Sequence, residues 1–501
     1  MAISSPGVGS GLDINSIVTQ LAAVEKKPLV TLQNNATKLQ TQLSAFGKLK
    51  SQLASLQDAA QKLLDTDTWG AKTFTSSSAS AVSGSAGTDS KANSFKVRVG
   101  QLATVQTMRS SIPIPKITGV DGQKREQTIS ELGGAGGEIT ITPNGDAAIT
   151  VDVLDTDTLS SIVNKINDKT AESGVQAFLV TGDAGQSLQL SGTKTGENNT
   201  FSVTENMNSG IITGLSQIQS AGNSIVYINA NDADTSPPYG GIEVTSSNNT
   251  IADAIPGVTL NLITETTSNV QITVGTDTDT IKTKIQGFQD AYNTLIGNLQ
   301  DLTKYDATTK KAGTLQADGT AVGLLSLLRT MISSTAPKAT YDYLTESKRI
   351  KRLSDVGLEV QQDGSLKTNT TKLTSSLSNL DNVKTFFYQY KNPEIVNGID
   401  VAATSTSTTD GFTTNENGLA RRIRDFARTA NGIQGTISLK NVAIQSAINR
   451  NSVDQDKENT KVAEYQKRLY QQYSSLDSKM GSLNGLSNFV STQVAQWNKS
   501  K

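Results

Sequence analysis

The 501-residue chain carries 45 Lys and Arg against 46 Asp and Glu, a formal charge of −1. That balance gives no electrostatic reason to expect nucleic acid or an anionic membrane as partner. The chain has no Cys and no His, which excludes disulfides, thiolate chemistry, Ser-His-Asp triads and His-containing zinc sites.

Several domains are expected at this length. Hydrophobic residues are 35% and charged residues 18%, a mixture that suits secreted β-rich domains and long polar helices better than a compact enzyme. The opening Met1-Ala2-Ile3-Ser4-Ser5-Pro6 has neither the basic region nor the apolar run of a cleaved signal. No stretch approaches the roughly 18 apolar residues of a membrane span.

From Leu32 an apolar series repeats every seven residues through Leu39, Phe46, Leu53 and Ala60, beside Leu49, Leu56 and Leu63. The two series form the seam of a coiled coil, closed by the turn-like Asp65-Thr66-Asp67-Thr68. Residues 74–274 read as β-structure with short helices. Phe95, Val97 and Val99 alternate as a half-buried strand does. Ile139 and Ile141 alternate, Asn144-Gly145 predicts a type I′ turn, and Ile149, Val151 and Val153 continue the pattern. Asp157 or Thr158 caps a helix with Leu159, Ile162, Val163 and Ile166 on its apolar face. Further strands are expected at 175–180, 188–190, 225–228, 258–262 and 270–274. Pro237-Pro238 with Gly240-Gly241 marks a return linker from an inserted domain.

Helix resumes after Asp277-Thr278-Asp279-Thr280, with Ile281, Phe288, Leu295 and Leu302 spaced by seven and Ile285, Tyr292 and Leu299 between them. Leu324, Leu325 and Leu328 begin another amphipathic stretch. Gly357, Asp363 and Gly364 punctuate a strand–turn segment, and 404–411 is a polar loop. At the C-terminus Val462, Leu469, Leu476, Leu483, Val490 and Trp497 again repeat by seven, with Tyr473, Met480 and Val494 beside them. Gly481 and Gly485 weaken this helix by roughly 1 kcal/mol each, whereas burying its six stripe residues returns roughly 10 kcal/mol gross. The stripe therefore needs a partner. Pairing between termini or between chains is expected over packing on a core of its own. On this reading, a fragment trimmed of the residues before Trp69 and after Val453 should stay folded.

Candidate chemistry is sparse. Gly133-Gly134-Ala135-Gly136-Gly137 lacks the following helix and the Gly-Lys-Ser/Thr ending of a phosphate loop. Asp152, Asp155 and Asp157, or Asn229, Asn231, Asp232 and Asp234, do not fit a calcium loop. The basic run Lys348, Arg349, Lys351 and Arg352 lacks interleaved aromatics and reads as a solvated face. No carboxylate pair stands out for glycoside hydrolysis, and aromatics are 5% of the chain. No catalytic, cofactor or metal residues are assigned.

The run Gly9-Ser10-Gly11-Leu12-Asp13-Ile14-Asn15-Ser16-Ile17-Val18 resembles the opening signature of flagellar filament cap proteins, the hook-associated protein 2 family. Residues 246–260 (SSNNTIADAIPGVTL), Leu353-Ser354-Asp355-Val356-Gly357-Leu358 with Asp363-Gly364-Ser365-Leu366, and Tyr473-Ser474-Ser475-Leu476-Asp477 resemble later family segments in the right order.

The resemblance implies a multidomain α+β fold. Both chain ends form coiled-coil legs and a helical bundle, and β-rich domains are inserted in the middle. The expected segments are 1–72 (N-terminal leg and coiled-coil helix), 73–110 with 240–276 (β-rich domain), 111–239 (inserted β-rich domain), 277–455 (helical bundle) and 456–501 (C-terminal leg helix). It implies a structural role without catalysis or cofactor: a ring-shaped homo-oligomer, a pentamer among the candidate sizes, at the distal tip of the filament. Its implied partners are itself, flagellin, hook–filament junction proteins and a flagellar export chaperone. Export through the flagellar channel accounts for the missing signal. The expected partner contacts are Leu12, Ile14, Ile17, Val18 and Leu21 at one end, and Leu476, Leu483, Leu486, Phe489, Val490 and Val494 at the other, with intramolecular core as their ordinary alternative. Competing readings are another axial flagellar protein (junction protein or flagellin-like), a surface adhesin and, distantly, a carbohydrate-active enzyme.

Overall fold

The computed structural model describes residues 11–111, 113–207, 214–308, 310–335, 350–389, 395–396, 399–400 and 417–499. The longer helices are, in chain order, α1 (Ile14–Glu25), α2 (Lys27–Lys62), α3 (Leu159–Asp168), α4 (Thr278–Thr303), α5 (Gly319–Ser333), α6 (Leu380–Tyr388), α7 (Leu419–Asn431) and α8 (Thr436–Lys499). The chain divides into two compact units, one formed by residues 1–69 with 278–501 and the other by residues 70–277. The expected polar loop at 404–411, the opening residues 1–6, Gly9, Ser10, Lys348 and Arg349 lie outside the described residues.

The first unit is helical and built from both chain ends. Its core joins Phe46, Leu49, Leu53 and Leu56 of α2 to Ile281, Ile285, Phe288 and Tyr292 of α4, Leu328 of α5, Phe387 of α6, Ile423 of α7 and Ile437 and Ile444 of α8. The seven-residue series is thus a buried stripe on α2 from Phe46 onward and on α4 as far as Leu299, as a helix period places it, while Leu32, Leu39 and Leu302 are half-buried. Side chains close the ends of these helices. Thr68 Oγ1 and Trp69 Nε1 donate to the carbonyls of Lys62 and Leu63 (2.6 and 2.9 Å) just beyond α2, satisfying acceptors a helix end leaves bare. Asp318 accepts from the Thr320 and Ala321 amides at the start of α5 and pairs with Lys440 of α8 at 2.7 Å. Gly357 at φ +104 leads into the hairpin Leu358–Val360/Leu366–Thr368, which Asn293 of α4 grips through the Leu366 carbonyl (2.8 Å) and amide (2.7 Å).

Because α2 contributes Ala45, Phe46, Leu49, Leu53, Leu56 and Ala60 to this core, followed by Leu63 and Leu64, a fragment spanning residues 69–453 would lose that side of it. The expectation that such a fragment keeps its fold is corrected on that ground. The self-contained piece is residues 70–277.

The second unit holds two separate cores, both under antiparallel sheets. In the first, a five-stranded sheet runs in the order Lys72–Ser76, Val270–Thr276, Asn93–Gln101, Ser224–Ile228, Ile242–Ser246, with a three-stranded sheet of Thr250–Ile255, Val258–Leu262 and Val82–Ala86. Phe95, Val97 and Val99 alternate inward here, against Val226, Leu260 and Ile272. In the second, the four strands Leu215–Gln219, Thr107–Ser110, Gly185–Gly192 and Val175–Gly182 accompany a three-stranded sheet of Phe201–Glu205, Gly137–Pro143 and Ile149–Val153. Helix α3 packs Leu159, Ile162 and Ile166 into that core, and Thr158 caps it by accepting from the Ser161 amide.

Two turn assignments change. The strands at 137–143 and 149–153 do pair, Ile141 opposite Ile149, but the connection is longer than a two-residue hairpin. Gly145 has φ +84 and Asn144 is not in the left-handed region, the pattern of a type II turn over 143–146 rather than type I′. Pro237-Pro238 and Gly240-Gly241 lie in the loop between strands Ser224–Ile228 and Ile242–Ser246, which pair directly with Ile228 opposite Ile242. The segment is a hairpin loop inside one sheet, not a linker between domains. Arg98 stacking 3.7 Å from the Tyr239 ring centre, and Tyr227 edge-on to it at 5.0 Å, hold it there.

Candidate functional site

The features that invited a reading as chemistry are structurally employed. Asp157 accepts from the Leu154 amide (2.7 Å), Ser161 Oγ (3.0 Å) and Lys165 Nζ (2.6 Å). Burial raises its pKa, but these donors outweigh burial and hold the carboxyl below its ordinary value. Asp232 takes Lys96 Nζ at 2.6 Å, so an ammonium stands beside each acidic cluster. Among the described residues no group of three or more acidic side chains is placed to hold a metal ion. Gly136 and Gly137 are small because neighbours crowd them: a Cβ there would lie 2.9 Å from the Val153 carbonyl oxygen and 2.4 Å from Asn206 Oδ1. Lys351 and Arg352 donate their backbone amides to Asp355 (2.9 Å each). A groove of about 470 Å³ in the second unit is lined by Asp146, Glu172, Lys194 and Phe201 among others; Glu172 is paired with Lys169 at 3.3 Å.

What remains is the terminal stripe. Asp13 starts α1 by accepting from the Ser16 amide at 2.9 Å. Ile14 and Val18, one turn apart, then pack on Leu469 of α8 between Tyr465 and Tyr473. Both are 1% exposed, so these two expected partner contacts are used within the chain, as is Ala22 beyond them. Ile17 is half-buried, and Leu12 and Leu21 are exposed. On α8, Val462 and Leu469 are buried at 4% and 7%, whereas Leu476 and Leu483 are 45% and 58% exposed.

Leu486, Phe489, Val490 and Val494 are exposed as well. The helix runs unbroken through Gly481 and Gly485. At about 100° per residue, Val462, Leu469, Leu476, Met480, Leu483, Leu486, Val490 and Val494 fall within roughly 120° of one another, with Phe489 outside that arc. One continuous stripe is therefore buried over its first part, with Leu469 against α1, and exposed from Leu476 onward. Counting half the usual 1.5–3 kcal/mol per side chain, because the helix already shields part of each, covering Leu476, Leu483, Val490 and Val494 would stabilise a complex by roughly 5 kcal/mol gross. Heptad spacing revealed the stripe. It did not reveal where α1 stops covering it, since that depends on which residues of α1 face α8.

A helical unit closed by both termini, an interrupting β-rich unit and a long helix ending in an apolar stripe define a structural, assembly-type protein. The family model for the flagellar hook-associated protein 2 C-terminus matches residues 221–485, that for its N-terminus residues 10–106, and a flagellin hook IN motif residues 133–194. The chain belongs to the flagellar hook-associated protein 2 family. It is 26% identical to the flagellar hook-associated protein 2 of Escherichia coli (strain K12) over the whole of both chains. It is also 26% identical to the A-type protein of Pseudomonas aeruginosa over 95% of this chain and 94% of that one. Its fold is similar to that of the D1-D2-D3 domains of the flagellar cap protein FliD from Escherichia coli, with a TM-score of 0.55 and 24% identity over 80% of this chain and 99% of that one.

Proposed function

We propose that this chain works as a filament cap through the exposed stripe of α8. As a member of its family it is a structural capping protein of the bacterial flagellar filament, retaining exported flagellin and promoting its polymerisation. The proposal adds the mechanism. The chain assembles with copies of itself into a ring, a pentamer among the candidate sizes, and the free length of α8 with the start of α1 serves as a leg reaching hook–filament junction proteins or filament subunits. Leu12, Ile17, Leu21, Leu476, Leu483, Leu486, Phe489, Val490 and Val494 make those contacts, while Ile14 and Val18 fix α1 to α8.

The single observation that carries this is the stripe buried at Val462 and Leu469 and exposed from Leu476 onward. Residues 70–277 form the plate that holds flagellin beneath it, with the β-rich segments meeting near 105 and 220 rather than 110 and 240, since Thr107–Ser110 belongs to the second core's sheet and Ser224–Ile228 to the first. No step of this role involves catalysis, cofactor or metal. The protein acts outside the cell at the filament tip, carried there by an export chaperone and the flagellar channel. Among the described residues no helix is long and apolar enough to cross a membrane.

The test is complementation from outside. Cells lacking the gene should shed flagellin into the medium, and purified protein added to them should restore filament growth and appear at filament tips by electron microscopy. Protein found along filament sides, or no restored growth, would reject the cap reading.

A further inference from the structure

The four-stranded sheet of the second unit has two outer strands, Val175–Gly182 and Leu215–Gln219. Alternate residues of an outer antiparallel strand turn their amide and carbonyl away from the neighbouring strand. On Val175–Gly182 these are Val175, Ala177, Leu179 and Thr181, and the fold occupies the first two. The Val175 amide donates to Ser173 Oγ at 3.2 Å, and its carbonyl accepts from Thr170 Oγ1 at 3.0 Å. The Ala177 amide donates to Asn167 Oδ1 at 2.7 Å, and its carbonyl accepts from Asn167 Nδ2 at 3.0 Å. Beyond Ala177 the cover stops. Among the described residues nothing bonds to the outward groups of Leu179 and Thr181.

The opposite edge has the same opening. The Gly214 carbonyl accepts from the Ser111 amide at 2.9 Å and so points into the sheet. Leu215 and Gln217 therefore turn outward, and among the described residues nothing bonds to their outward groups either. Neither 178–182 nor 215–219 holds a charged residue or a Pro, the usual guards of a free edge. The register shift of the second strand lies between Gln217 and Gln219, past its bare pair. Phe178, Val180 and Ile218 are exposed beside these edges.

We infer that the two edges dock on each other between copies of this chain, with Leu179 opposite Gln217 and Thr181 opposite Leu215 of the next copy. Only this register uses all four bare residues. A shift of two toward Val175 would set Gln217 against Ala177, which Asn167 already occupies. Each opposed pair exchanges two hydrogen bonds. Phe178 comes beside Ile218, an apolar cross-strand contact, and Val180 faces Ser216. Two different surfaces meet, as a ring of more than two copies requires, whereas an edge meeting itself would stop at a dimer. The docking thus rests on the ring proposed above and supplies its contact between neighbours.

The experiment uses the full-length chain, whose lack of Cys lets introduced thiols report on this contact alone. Val180 and Ser216 would face each other as a non-bonded pair with Cα atoms about 4.5 Å apart, within the span of a disulfide. Under mild oxidation, Val180→Cys mixed with Ser216→Cys should give a covalent dimer, and neither variant alone should. Thr181→Pro and Gln217→Pro each remove one outward amide, a position where an edge strand tolerates Pro. Each should keep the wild-type melting temperature and run as a monomer by mass photometry. Their mixture should form dimers, because each keeps the edge that the other lacks. No disulfide in the mixture, an equal yield from either Cys variant alone, or wild-type oligomers from both Pro variants would overturn the docking. The disulfide reads the contact whether or not added wild type restores filaments, so this docking and the cap reading can fail separately.

Discussion

Asn293 shows how single side chains hold the helical unit. Its amide takes both backbone groups of Leu366 (2.8 and 2.7 Å), and Tyr292 Oη beside it donates to the Gly364 carbonyl at 3.1 Å. Burial drives the Tyr292 phenol well above its usual pKa, so it stays a donor at any physiological pH. Asn293→Ala removes two bonds and leaves the hairpin's groups unmatched. It should cost about 2–3 kcal/mol in urea unfolding; a loss within error would show that the hairpin is not anchored there.

Asp157 makes the pH argument for the β-rich unit. Its folded pKa is lowered, so its contribution is present above the unfolded value near 3.9 and fades as pH falls through the folded value. The melting temperature of the wild type should therefore drop below about pH 4. Asp157→Asn should start lower at pH 7 and lose less on acidification; equal slopes would remove Asp157 from the account.

Among the elements, α8 is the informative one, because one stripe serves three surroundings along its length. Ile437 and Ile444 join the bundle core, Val462 is buried, and Leu469 meets α1. Between them the buried Asn451 and its neighbour Gln455 (Gln455 Nε2 to Asn451 Oδ1, 2.6 Å) interrupt the apolar run. Replacing a satisfied buried polar pair with apolar residues is often neutral or stabilising. Asn451→Leu with Gln455→Leu should raise the melting temperature and slow hydrogen exchange around residues 448–460. Faster exchange there would show the pair to be a required contact.

The same helix shows what sequence can reveal. Leu53 and Leu476 look alike in their heptads, yet one is 1% and the other 45% exposed. Spacing defines the stripe, and only the tertiary partner defines its burial. Strands with one buried face, such as Phe95-Val97-Val99, were legible from alternation. Thr107–Ser110 and Leu215–Gln219 were not, because four or five residues with one or two apolar positions carry no period. The loop at Pro237-Pro238 was misread because Arg98, more than a hundred residues away, is what holds Tyr239.

For the whole molecule, the discontinuous helical unit and the continuous β-rich unit make different predictions. A fragment of residues 70–277 should fold alone and melt cooperatively, since both its cores are internal. An aggregated or molten fragment would show that it depends on the helices.

The central claim is that the exposed end of α8 is the part that caps. Changing Leu476 and Leu483 to Asp puts charge on the exposed stripe and leaves the buried Val462, Leu469, Ile14 and Val18 untouched. The variant should keep the wild-type melting temperature, but a buried unpaired carboxylate should prevent docking. The direct measurement is filament length after purified protein is added to cells lacking the gene, which bypasses export. Wild type should restore long filaments, and the double variant should leave them short with flagellin free in the medium. Full-length filaments with the variant would contradict the account.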